Sequence, residues 1–288
     1  MSSDLLPDEA MRGGLRELAV ELAIEAGRFV RDERPDHVDV RKTKASALDV
    51  VTIMDTRCEE MLRASIAAER PQDAVLGEEG GLSEGTTGLT WVLDPIDGTV
   101  NYLYDVPAYA VSVAVVVGDP TVPGAWMPVA GAVFNPGVDE IFAAHLGGGA
   151  TLAPAGASTY PRPRTLTAPE PESLARALVG TGFSYDTELR GMQGRVVTAL
   201  LPQIRDLRRM GAASLDLCAV ACGRLNGYYE RGLEPWDMAA GMLVATEAGA
   251  LVTGAEGPPS REMIVAAAPE VHKDLIAALG QALIDAEG

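Results

Sequence analysis

Apolar residues recur at helical spacing near the start of the chain. Leu15, Leu18, Leu22, Ala23, Ala26 and Val30 line one face of the segment Glu9–Asp32 and predict an amphipathic helix. A second helix is expected over residues 49–68, with Ile53, Cys58, Met61, Leu62 and Ile66 as its buried side and Pro71 ending it. The period then changes. Residues 74–76, 90–93, 111–117, 129–134 and 140–143 are short β-rich runs and read as strands. A Gly/Ser/Thr-rich loop, residues 80–88, separates the first two.

The stretch 147–164 is rich in Gly, Ala and Pro and predicts a seam between an N-terminal lobe, 1–155, and a C-terminal lobe, 156–288. The second lobe restarts with the apolar run 177–180. Helical patterning covers 191–201 and Ala213–Cys222, Gly227–Glu230 reads as a strand, and helices are expected near 237–248 and 270–284. Mixed strand and helix blocks without strict alternation imply a layered α/β (α+β) architecture.

Charge narrows the possible partners. With 23 Lys and Arg against 41 Asp and Glu, the chain carries −18, which repels nucleic acid and anionic membranes. The longest apolar run, 108–117, is too short to span a bilayer as a helix. The start, Met1-Ser2-Ser3-Asp4, lacks the basic and apolar regions of a signal peptide. Cys58, Cys218 and Cys222 form an odd set without CxxC spacing, which fits reduced thiols. A cytoplasmic protein is expected.

The densest chemistry lies in Trp91-Val92-Leu93-Asp94-Pro95-Ile96-Asp97-Gly98-Thr99. An apolar strand runs into two carboxylates, and Pro95 is expected to stop strand pairing and turn both toward one point. Gly98 allows close backbone approach to a ligand, and residues 99–102 are expected to open a helical turn whose N–H groups face an anion. Glu78 and Glu79 sit at the end of another short strand. Asp237 follows Pro235-Trp236 at an expected helix N-cap. Each acid alone has an ordinary explanation as a turn, surface or capping residue. Their joint occurrence carries the argument.

The donor type points to the cation. His37, His145 and His272 all lie away from the acidic motifs, and an all-oxygen cluster favours Mg²⁺ over Zn²⁺. Four carboxylates repel a phosphate dianion, so about two or three Mg²⁺ ions are needed before substrate can bind. Thr99 offers a hydroxyl to orient a water. Asp55, expected one turn inside the second helix and free of capping duty, is the candidate to polarise it. Asp49 reads as that helix's N-cap.

Gly77-Glu78-Glu79, Asp94-Pro95-Ile96-Asp97-Gly98-Thr99 and Trp236-Asp237, in this order, resemble the inositol monophosphatase family of lithium-sensitive, magnesium-dependent phosphatases. The similarity runs from the first helix through Lys44 and residues 49–55, past residues 208–213, to the C-terminal helices. It looks closest to bacterial, especially actinobacterial, members. The resemblance implies a five-layer αβαβα sandwich, commonly a homodimer. It implies Mg²⁺ ligands at Glu78, Asp94, Asp97, Asp237 and the Ile96 carbonyl, with catalysis by Glu78, Thr99 and Asp55. Phosphate would meet the N–H groups of Gly98 and Thr99, and inositol hydroxyls would face Asp97, Ala213 and Glu230, beside Asp237. The expected reaction is hydrolysis of inositol 1-phosphate. Histidinol phosphate, a fructose bisphosphate, another sugar phosphate or a 3′-phosphoadenosine nucleotide are alternative substrates of the same chemistry. A regulatory protein on the same scaffold is a third reading. Bisphosphate and nucleotide substrates need a basic or aromatic pocket, and the sequence shows no obvious cluster for one.

Overall fold

The structure is a computed structural model that describes residues 6–35, 38, 40–43, 50–156, 163–169, 171 and 173–287. His37, Lys44, Asp49 and residues 157–162 of the expected seam lie outside the described residues. In chain order the first half comprises α1 (Glu9–Asp32), β1 (Val40–Thr43), β2 (Val50–Thr52), α2 (Ile53–Glu69), β3 (Ala74–Gly77), β4 (Gly81–Ser83), β5 (Leu89–Asp97) and α3 (Thr99–Leu103). Then come β6 (Ala110–Gly118), β7 (Trp126–Asn135), β8 (Glu140–His145), β9 (Ala150–Pro154) and β10 (Arg164–Thr165). The second half comprises β11 (Leu178–Thr181), α4 (Thr187–Leu200), β12 (Asp206–Arg208), α5 (Ala213–Cys222), β13 (Gly227–Glu230), α6 (Pro235–Glu247), β14 (Leu251–Thr253), β15 (Ile264–Ala267) and α7 (Pro269–Glu287).

Strands β3 to β10 form an eight-stranded sheet in the order β10-β9-β8-β7-β6-β5-β3-β4, antiparallel except where β3 lies parallel to β5. A five-stranded sheet, β12-β11-β13-β15-β14, mixes parallel and antiparallel pairs. Both ends of the 147–164 stretch contribute strands to the larger sheet, since β9 and β10 pair with each other.

Side-chain alternation stacks the layers. Val111, Val113, Val115 and Val117 of β6 pack with Leu15, Leu22 and Val30 of α1 and with Met54 and Leu62 of α2. The intervening Ala110, Ala114 and Val116 pack with Cys218 and Ala221 of α5 and with Ala239 and Leu243 of α6. Burial on both faces explains why β6 is a continuous apolar run. The other sides of α5 and α6, at Leu217, Val220, Met238 and Ala245, meet Tyr228, Ile264 and Ala266 of the smaller sheet. On its far face, Val179, Val265 and Ala267 meet Val196 and Leu200 of α4 and Leu275 and Leu279 of α7. The result is the αβαβα sandwich. Helices α5 and α6 sit between two sheets and are therefore apolar on nearly every side.

Three local expectations change. The second helix starts at Ile53, because the β-branched Val50–Thr52 pairs with β1 as a strand instead. Pro95 does not end β5. Pairing with β6 resumes at Asp97 opposite Ala110 after Asp94 opposite Ser112, so one extra residue forms a bulge. The 80–88 loop holds an exposed edge strand, β4, paired with β3.

Candidate active site

The parallel register of β3 and β5 sets Gly77 beside Leu93. The next residues on the two strands are Glu78 and Asp94, so both acids emerge at the same sheet end. The Glu78 N–H donates to the Leu93 carbonyl at 3.3 Å and continues the ladder to that point. Alternation turns Trp91 and Leu93 toward α1 and α2 and Val92 toward α5 and α6. Asp94, two residues beyond Val92, follows it to the α6 side, and its Oδ1 accepts the Ile96 N–H at 3.0 Å across the bulge.

Gly98 has φ 91°, and a Cβ there would press on the Ala108 carbonyl at 3.0 Å and the Gly211 carbonyl at 3.1 Å. Only glycine suits this left-handed turn. It lets Thr99 begin α3 with its hydroxyl 3.0 Å from the Ile96 carbonyl and 3.2 Å from Asp55 Oδ1. Asp55 does have capping duty. Its Oδ2 accepts from the Thr52 N–H at 2.8 Å and from the Thr52 hydroxyl at 2.5 Å, completing a capping box around the true N-cap, Thr52. Both oxygens of the buried carboxylate are thereby used, one locally and one across to Thr99.

Asp97 is held by the start of α5. Its Oδ1 accepts the Ala213 N–H at 3.1 Å, and its Oδ2 accepts the Ser214 N–H at 2.7 Å and the Ser214 hydroxyl. A carboxylate at a helix N-terminus is favoured by the dipole and by otherwise unpaired N–H groups. Asp237 is not the N-cap of α6. Glu234 takes that place, Pro235 occupies the first turn, and Asp237 Oδ2 accepts the Glu234 N–H at 2.6 Å.

These groups face one cleft of about 650 Å³, lined by Glu78, Asp94, Ile96, Asp97, Gly98, Thr99, Ala213, Glu230 and Asp237 among others. Burial raises the pKa of Asp94 and Asp237, and the charges of Glu78 and Asp97 raise both further. Burial also raises Asp97, against the opposing hydrogen bonds from Ser214 and Ala213. Burial pushes Asp55 up to about 6 and Glu230 up to about 7. Such an anionic wall attracts cations and disfavours a bare phosphate. Among the described residues, no group of three or more His, Cys, Asp or Glu side chains is arranged to hold a metal ion by itself. The acids share a wall, while Asp97 and Asp237 are tied to backbone donors.

The same cleft contains groups the sequence pattern did not collect. Phe183, Tyr185 and Trp236 line it together with Arg209, Arg231 and Arg261. The sequence shows no obvious basic or aromatic cluster, yet the fold gathers these residues into one cleft. These residues lie far apart in sequence and meet only through folding. Sequence reasoning also missed Ser214 and Tyr228, whose hydroxyl donates to Glu230 Oε2 at 2.5 Å. A side chain at Gly182 would collide with that carboxylate. Alternation in Gly227–Glu230 points Tyr228 and Glu230 the same way and was the available signal.

The model of the inositol monophosphatase family matches residues 13–284. The chain belongs to that family. It is 42% identical over 282 residues to the inositol-1-monophosphatase SuhB of Mycobacterium tuberculosis, covering 92% of this chain and 93% of the relative. The structure of the extragenic suppressor protein SuhB from Bartonella henselae superposes with a TM-score of 0.80 at 30% identity, covering 92% of this chain and 98% of that one. A protein named Nus factor SuhB from Pasteurella multocida is 34% identical over 273 residues, 93% of this chain and 96% of its own. Membership in the inositol monophosphatase family makes the protein a phosphatase, and the layered fold agrees with that of these relatives. No helix among the described residues is long and apolar enough to cross a membrane.

Proposed function

We propose that this phosphatase hydrolyses a small phosphate monoester in a Mg²⁺-dependent reaction, with an inositol monophosphate as its substrate. The observation that carries the reading is the meeting of Glu78, Asp94, Asp97 and Asp237, from three separate segments, on the cleft wall that also presents Thr99 paired with Asp55. The donor set is entirely oxygen, which suits a hard cation. Glu78, Asp94, Asp97, Asp237 and the Ile96 carbonyl would hold it. When bound, Mg²⁺ neutralises phosphoryl oxygens and makes a bound water more acidic.

The chain's own groups handle orientation and the proton. The Thr99 hydroxyl donates to Asp55 Oδ1, leaving Thr99 Oγ1 able to accept from the attacking water. Asp55, with a pKa raised to about 6, is ionised at neutral pH yet basic enough to receive that proton through Thr99. The water oxygen bonds to phosphorus as its proton passes through Thr99 to Asp55, the ester P–O bond breaks, and the leaving oxygen takes its proton from a solvent water in the cleft. The N–H groups of Gly98 and Thr99 precede the first bond of α3, from the Tyr102 N–H to the Gly98 carbonyl, and suit phosphate oxygens. Glu230, fixed by Tyr228, supplies an acceptor for a polyol hydroxyl. The Ala213 N–H is committed to Asp97, so Ala213 shapes the cleft by its small size.

The arginine and aromatic residues lining the cleft favour a second reading of the leaving group, one carrying a further phosphate or a base. Phosphate release from inositol 1-phosphate, histidinol phosphate, fructose 1,6-bisphosphate and 3′-phosphoadenosine 5′-phosphate, with and without Mg²⁺, decides between them. Highest kcat/KM on inositol 1-phosphate, only with Mg²⁺, supports the first reading. Metal-independent turnover contradicts both.

A further inference from the structure

Glu59 lies one helical turn beyond Asp55 on the same side of α2 and is just as deeply buried, although a lone glutamate carries a large desolvation cost. Its partners explain its presence there. Oε2 accepts the Glu79 N–H at 2.7 Å, and Oε1 accepts the Gly80 N–H at 2.8 Å and Arg63 Nε at 2.7 Å. Arg63 Nη2 reaches on to the Gly81 carbonyl at 2.5 Å. The segment around Glu78 is therefore gripped from one side by a carboxylate and a guanidinium. Side chains at Gly77 or Gly80 would run into that carboxylate, so both glycines are shaped to it.

We infer that Glu59, assisted by Arg63, is a positioning residue that holds the Glu78 loop at the cleft in a geometry able to bind a divalent cation. The inference rests on the cation-site reading above. The Glu78 N–H itself donates to the Leu93 carbonyl, beyond the last residue of β3. The two N–H groups after it have Glu59 as their acceptor. Helix α2 thus serves both parts of the site, reaching Thr99 through Asp55 and the Glu78 loop through Glu59. Replacing Glu59 with Gln keeps the length, but it sets an amide NH₂ against one of the donors and removes the charge that pairs with Arg63.

The test compares the full-length protein with Glu59→Gln, Glu78→Gln and Asp73→Asn. Asp73 is a buried hub for Trp91 Nε1 at 3.0 Å, Arg70 and Thr87, away from the cleft, and serves as the control for general destabilisation. Three quantities are measured: Mg²⁺ affinity by calorimetry without substrate, amide exchange of residues 78–81, and the thermal midpoint. Glu59→Gln is expected to weaken Mg²⁺ binding by about 10- to 100-fold and to speed exchange in 78–81. Asp73→Asn should lower the midpoint and leave Mg²⁺ affinity unchanged. If Glu78→Gln weakens Mg²⁺ binding while Glu59→Gln alters neither affinity nor exchange, the positioning role is overturned. If Glu78→Gln itself has no effect on Mg²⁺, the cation-site reading fails first. Equal affinity losses in Glu59→Gln and Asp73→Asn would show a general stability effect and would also overturn the role.

Discussion

The two sides of the cleft are built differently. On the acidic side, Asp55, Asp94 and Asp97 are each less than 10% exposed, and all are tied to backbone or hydroxyl donors from β2, β5 and α5. Among the other lining residues, 182–186 and 231–234 form connecting segments, and the Arg261–Glu234 ion pair is 72% and 32% exposed. Asp55, Asp94 and Asp97 stand on buried elements, whereas much of the remaining lining stands on connecting segments, where substitution is tolerated more readily. The contrast predicts that substitutions on the acidic side change chemistry, whereas those on the loop side change preference.

The largest expected effect is from Asp94→Asn, which should lower Mg²⁺-dependent turnover by more than about 100-fold, beyond the usual cost of losing a group behind a metal ligand. The same change removes a buried charge whose pKa is raised by burial and by Glu78. The metal-free thermal midpoint should therefore rise, by about 2–4 °C for each kcal/mol relieved. Near-normal turnover together with an unchanged midpoint would erase the distinction between the two sides. Thr99→Ala comes next, with kcat reduced about 100-fold and KM little changed. A purely KM effect would move Thr99 to the binding side.

Glu230→Gln sharpens the comparison from the substrate end. It should raise KM for inositol 1-phosphate about 10-fold with a smaller change in kcat, because it loses a charged acceptor for a hydroxyl. The pH dependence has a definite sign. Asp55 and Glu230 have folded pKa values raised to about 6 and about 7, so their contribution to stability is present below about pH 4 and is lost as pH rises through those values. The Mg²⁺-free midpoint should fall between pH 5 and pH 8. Mg²⁺ affinity should rise over the same range as protons leave its ligands. A flat midpoint would mean that the buried carboxylates cost nothing to ionise. The smallest effect belongs to Arg261→Ala. Its exposed ion pair is worth about 0–1 kcal/mol, so stability should barely move. Relative kcat/KM across the substrate panel is where a change should show.

Helix α1 was legible to the residue because an apolar stripe runs unbroken between Pro7 and Pro35, which bracket it. The acidic motif was legible because Asp94-Pro95-Ile96-Asp97-Gly98-Thr99 contains several constrained residue types in a row. Helix starts were less so. Val50 to Thr52 fits the helical period but has β-branched side chains, and pairing with β1 decided for strand. Asp237 looked like a cap by spacing. Pro235 fits the first turn so well that the cap falls three residues earlier, at Glu234. Glu59 had no visible signal beyond lying four residues after Asp55.

By itself, the sequence determined what depends on neighbours in the chain: helical and strand periods, the acidic oxygen-rich chemistry, and the glycine at the left-handed turn. Tertiary structure alone decided which distant residues share a wall. The parallel register of β3 and β5 puts Glu78 next to Asp94, the sandwiching of α5 and α6 brings Ser214 to Asp97, and the loops gather Arg209, Arg231 and Arg261. The reason is physical. Local preferences involve a few dihedrals and adjacent side chains, whereas convergence in space follows from how whole apolar faces are buried against one another.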